Sequence, residues 1–192
     1  MIDNRNNLIV VAIFSIYFFI GIFIYKDYGI GIEEHFQRQN GFYWLSQILN
    51  FTNFENLKEI VNQKYQNILL NNPDLPKADF FNFYGILFDL PAALIESLLN
   101  IENSKLYFEI RHLLNFIFFL IGSVFFLKIL YKRFNFTISI LGLLIYIFTP
   151  RIFGDSFHNN KDVFFLSLFA ISLYYCFEVL NKDSLKNIII FS

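Results

Sequence analysis

The sequence predicts a polytopic, all-α membrane protein, a transmembrane helical bundle with interfacial amphipathic helices in its first outer loop. Three observations carry that expectation. Apolar runs at 8–25, 113–131, 134–149 and 163–180 come close to the ~20 residues that a helix needs to cross a ~30 Å hydrocarbon core. The composition is 56% hydrophobic and 21% aromatic, with a mean hydropathy of +0.48, above the roughly 45–50% apolar content of soluble domains. Lys and Arg gather at alternate ends of the runs, as expected where short loops face the cytoplasm.

The first run, Leu8–Tyr25, is uncharged and follows Arg5. Its end, Tyr17-Phe-Phe-Ile-Gly-Ile-Phe-Ile-Tyr25, lacks the small residues of a signal-peptidase site, so it reads as an uncleaved anchor with a cytoplasmic N-terminus. Residues 26–112 form the outer loop. Within it, Phe36–Leu49 and Phe54–Leu70 have helical apolar spacing, and Phe42, Tyr43 and Trp44 suit the headgroup level. Asn71-Asn-Pro-Asp-Leu-Pro76 is a turn cluster.

Phe80–Asn100 is apolar enough to suggest another span. Asn82, Asp89 and Glu96 recur every seven residues on one helical face, near Gly85, Ala93 and Asn100, and Pro91 stands in mid-segment. Two carboxylates at spanning depth would each cost about 2.5–3.5 kcal/mol, so an interfacial, bent helix is expected. With that helix on the surface, Arg5, Lys128/Lys132/Arg133 and Lys182/Lys186 all fall on the cytoplasmic side. Asn187–Ser192 opens a further apolar run, so the single membrane domain at 1–192 is expected to be the N-terminal portion of a longer chain.

The net charge of −1 offers no basis for nucleic-acid binding. The lone Cys176 lies in an apolar run and implies packing rather than a disulfide.

The outer side then holds a dense set of ionisable groups. Glu33-Glu34-His35-Phe36 follows the first span. Phe108-Glu-Ile-Arg111 opens the second, and Tyr131-Lys-Arg-Phe134 forms the basic turn after it on the cytoplasmic side. Thr149-Pro-Arg151-Ile-Phe-Gly-Asp155 and Asn159-Asn-Lys161-Asp162 lead into the fourth. In this order, over roughly residues 8–180, these motifs resemble the GT-C-type membrane glycosyltransferases that use lipid-linked sugars, the branch of the protein O-mannosyltransferases and aminoarabinose transferases. Two departures stand out. Glu33 occupies a position where the family carries Asp, and Phe83-Tyr-Gly-Ile-Leu-Phe-Asp-Leu-Pro91 replaces the His-Pro-Pro signature of the mannosyltransferase loop.

The resemblance implies transfer of a sugar from a polyprenyl-phosphate donor to a lipid, glycan or protein acceptor on the outer face of the membrane, the plasma (inner) membrane if the source is bacterial. It assigns Glu33 as general base and Glu34 as its neighbour in acceptor or metal contact. Arg111 and Lys161 become phosphate contacts and Asp162 a positioning acid. Asp155 competes with Asp162, and Arg151 joins the substrate-binding set. Such transfer needs a base for the acceptor hydroxyl and cations for the phosphate leaving group. Residue chemistry alone leaves plainer roles open. Arg111 can snorkel at a span edge, Asp162 can cap a helix, and Glu33 and Glu34 can sit in a solvated loop. A divalent metal also stays open, since His35 and His158 could join nearby carboxylates without a diagnostic spacing. The alternative class is a non-enzymatic polytopic protein, such as a transporter fragment or an assembly subunit. A transporter would place its polar groups at mid-membrane on broken helices.

Overall fold

The computed structural model describes residues 4–76 and 85–181. The described chain is helical: α1 (Asn4–Ile24), α2 (Glu34–Leu49), α3 (Glu55–Asn71), α4 (Asp89–Leu98), α5 (Ser104–Arg133), α6 (Phe136–Phe148), α7 (Pro150–His158) and α8 (Asp162–Asn181). An all-α bundle is therefore what the chain forms. It divides into two compact units, one of residues 1–28 with 112–192 and one of residues 29–111.

The first unit is the membrane bundle. α1, α5 and α8 are each long and apolar enough to cross a bilayer. Ring contacts fix how these helices run. Tyr17 packs on Phe116 and the Tyr25 carbonyl meets His112 Nδ1 at 3.4 Å, so α1 and α5 are antiparallel. Phe119 and Tyr131 pack on Tyr146 and Phe136, so α5 and α6 are antiparallel as well. Phe118 meets Phe164 and Lys132 pairs with Glu178, so α5 and α8 run together. One end of this unit thus gathers the start of α1 with Arg5 and the Lys128–Arg133 turn. The opposite end gathers Tyr28, His112 and α7.

Aromatic packing fills the core. Tyr17, Phe116, Phe119, Leu143, Ile147 and Phe157 are fully enclosed. Tyr17 reaches across to donate a hydrogen bond to the Ile147 carbonyl at 3.1 Å, which satisfies the one polar atom its ring carries into the bundle. Gly122 lets α5 approach the backbone of Ser167 on α8, where an added Cβ would collide. Close approach through small residues is a common device in membrane helix pairs.

The expected span at 134–149 is shorter and is followed by a bend. Asn135 caps α6, its side chain accepting from the Ile138 N–H at 3.0 Å. Pro150 then forces Thr149 to an extended ψ of 119° and opens α7, a break of 58°. The 13 residues of α6 rise only about 20 Å, so α6 becomes a candidate crossing only together with α7.

The second unit is built around α2, with α3 and α4 packed on it. Phe42, Leu45, Leu49, Val61, Ile68 and Ala93 form its apolar core. Phe42 is fully buried there, so its ring is packed inside the unit rather than presented on its surface.

The interfacial, bent helix expected over Phe80–Asn100 is shorter in its described part. Asn82 lies outside the described residues, Gly85–Phe88 are not helical, and α4 begins at Asp89. Pro91 falls in the first turn, where the backbone N–H groups have no helical acceptor, and so costs no hydrogen bond. The helix ends on Asn100 at φ 46°, with Ile101 N–H donating to the Glu96 carbonyl and Asn100 N–H to that of Ser97, both at 3.1 Å. That pair of bonds is the Schellman closure, and Asn tolerates the left-handed position.

Candidate functional site

The two acids at the head of α2 are separated by local geometry. Glu33 is the N-cap residue and is exposed. Glu34 is only 2% exposed. Its carboxylate accepts from the Gly31 N–H, while its own N–H donates to the Gly31 carbonyl. Glu34 thus closes the turn onto Gly31 with both its side chain and its N–H, one half of a capping box, while the N-cap side chain itself makes no cap bond. Glu34 therefore anchors the first turn of α2 and leaves Glu33 presented outward. Glu34→Ala is expected to lower the stability of this unit by roughly 0.5–2 kcal/mol, the usual value of a cap, read from unfolding followed by the fluorescence of Trp44, the chain's single Trp.

Behind this turn lies a buried polar layer. Arg38 grips Glu96 with two hydrogen bonds, Nε to Oε2 at 3.0 Å and Nη2 to Oε1 at 2.6 Å. Its guanidinium also lies 3.6 Å from the centre of the Tyr107 ring. Arg111 donates from Nη2 to Asp89 Oδ1 at 2.7 Å, and Asn40 donates to Asp89 Oδ2 at 3.2 Å. Asp89 and Glu96 do share one face of α4, as their spacing predicts, and that face is turned into the unit. Each carboxylate meets an Arg, because a buried charge is tolerated only when paired and hydrogen-bonded.

The Arg111 guanidinium, expected at a donor phosphate, is 3% exposed and bonded to Asp89. Its position follows from α4, which brings Asp89 to the start of α5. Gly41 permits the approach, since a Cβ there would fall on the Asp89 carbonyl. Gly41→Ala is accordingly expected to displace α4 and destabilise the unit by more than the ~1 kcal/mol that Ala gains over Gly in a helix; a higher midpoint for Trp44-monitored unfolding would contradict the packing.

The remaining expected residues belong to the first unit, at the end opposite Lys132. Asp155 lies between Arg151 Nε at 3.7 Å and His158 Nε2 at 3.6 Å on α7. Arg151 is almost entirely exposed, at 91% of its side chain. Asn115 from α5 donates to the Asp155 carbonyl at 3.3 Å, which ties α7 to the bundle. Lys161 and Asp162 are exposed at the start of α8. Asn159 accepts from the Asp162 N–H at 3.1 Å and donates to the Asp162 carboxylate at 3.0 Å. Asn159 therefore supplies the cap, and Asp162 supports it from the first turn.

Sequence reasoning gave Arg38 no role and left Glu96 as an interface charge. The usable signal was the presence of two acids seven apart on one helix and two Arg residues in the same loop. Among the described residues, no group of three or more His, Cys, Asp or Glu is placed to hold a metal ion. His35 instead packs edge-on against Phe108. No protein-family model, characterised protein or solved structure matches the chain.

Proposed function

We propose that the protein is a membrane glycosyltransferase of GT-C type, moving a sugar from a polyprenyl-phosphate donor to an acceptor on the outer face. The observation that carries this reading is connectivity: the chain leaves the bundle after Tyr28 and returns at His112, both at the bundle end opposite the Lys128–Arg133 cluster. The positive-inside rule assigns that cluster to the cytoplasm; on that assignment the chain leaves and re-enters the bundle on the outer side, where α7 and the start of α8 also lie.

In this reading Glu33 takes the proton from the acceptor hydroxyl. A carboxylate on an ordered helix start meets the positional demand of a general base. Within the first unit, Arg151 and Lys161 are exposed cations suited to the donor phosphate, and Asp155 stands beside Arg151. Arg111 serves by fixing α4 rather than by touching phosphate. A divalent metal is not required by these roles. The gathering of polar groups at one end of the bundle favours an enzyme over a transporter, whose site belongs at mid-membrane.

Topology is the first test. Reporters fused after Lys58 and after Asn100 are expected to read outside, and one after Arg133 to read inside. A cytoplasmic signal at Asn100 would place the loop unit on the wrong face and end the proposal.

A further inference from the structure

The loop unit contains a polar cavity of about 610 Å³ that none of the roles above uses. One wall is a stripe of α3, Lys64, Asn67 and Asn71 spaced three and four apart and so on one helical face, with Gln63 beside them. Asn100 and Tyr107 stand opposite, with Arg38 at the floor. The size falls within the roughly 300–1,000 Å³ of small-molecule sites.

The chemistry of the lining selects its ligand. Both cations are already engaged: Arg38 is held bidentately by Glu96, and Lys64 donates to the Ile101 carbonyl at the end of α4. Burial also lowers the Lys64 pKa. Glu102 adds a negative charge to the wall. A phosphate would thus meet an Arg already neutralised by Glu96, a single Lys with one of its three donors taken, and a repelling carboxylate. The amides are different. Gln63 already donates to Glu59 at 3.4 Å, but Asn67, Asn71 and Asn100 each carry both donors and an acceptor, which complements vicinal hydroxyls that also donate and accept.

We propose that this cavity is a binding site for a neutral saccharide and holds sugar units of the acceptor; the acceptor role rests on the transferase reading, whereas saccharide binding does not. Donor phosphate is excluded from it and left to exposed cations.

The test uses the full-length protein in nanodiscs, with maltotriose, mannotriose and chitotriose as neutral probes and inorganic phosphate as the anionic one. Saturation-transfer NMR is expected to show binding of at least one trisaccharide and no competition by phosphate. Asn67→Ala with Asn71→Ala should weaken that binding tenfold or more. Both positions are exposed on a helix where Ala is a better helix former, so Trp44-monitored unfolding should be unchanged. Glu33→Gln should bind the saccharide as the wild type does, so that failure of transfer and failure of binding are read separately. Absence of any saccharide signal, displacement by phosphate, or full binding by the double Asn variant overturns the proposal.

Discussion

Glu33→Gln is expected to reduce sugar transfer by about 10²–10⁴-fold, the usual contribution of a general base, with insertion and folding retained. The substitution keeps the size of the side chain and removes its ability to take a proton. Glu33 is exposed at the N-cap of α2 and its side chain makes no cap bond, while its backbone carbonyl accepts from Gln37 N–H at 2.9 Å and is untouched by the change. The neighbouring acid supplies the control. Glu34 is buried in the turn, so Glu34→Ala should lower stability while leaving per-molecule turnover of the folded fraction far less affected. The measurement is single-turnover transfer in proteoliposomes for both variants, normalised to folded protein. Near-normal transfer by Glu33→Gln would remove it as base and turn attention to Asp27, which is also exposed.

The second large effect is on stability. Glu96→Gln is expected to cost about 3–5 kcal/mol, because it leaves the Arg38 guanidinium buried without its counter-charge. Arg38 is 9% and Glu96 4% exposed, so water cannot compensate. Removing both charges should be far milder. The pair Arg38→Met with Glu96→Leu fills similar volume and leaves no unpaired charge, and such exchanges are often neutral or stabilising. Urea unfolding followed by Trp44 fluorescence reads both variants, since α2 carries the probe and the Arg. A double variant as unstable as Glu96→Gln would show that the Arg38–Glu96 geometry contributes more than charge cancellation.

The membrane bundle was legible because lipid imposes a simple rule. Long apolar runs must be helical, and α1, α5 and α8 appear where those runs stand. The loop helices α2 and α3 were legible from apolar spacing to within a few residues. α4 was not, since hydropathy alone makes Phe80–Asn100 look continuous, and only the packing of Asp89 and Glu96 against α2 shows where helix begins. The character of α2 was hidden for a related reason. Gln37, Arg38, Gln39 and Asn40 interrupt the apolar spacing of α2 with polar side chains, yet all four are buried. A polar run enclosed by neighbours looks the same in sequence as one facing water; the difference lies in partners 37 to 58 residues away. Arg111 shows the limit most clearly. An Arg at the start of a span can snorkel, bind phosphate or pair with a buried acid, and only the position of Asp89 distinguishes the third case.

The central claim, transfer from a lipid-linked sugar on the outer side, is tested most directly by a sided assay. Full-length protein is reconstituted with a labelled polyprenyl-phosphate sugar, its orientation fixed by protease access to the loop unit, and membrane-impermeant saccharide acceptors are added to one side. The account predicts labelled product only when acceptor and loop unit share a side, and loss of that product in Glu33→Gln. Product formed only with acceptor on the side of Lys128–Arg133, or intact donor in both orientations with every acceptor, would contradict it.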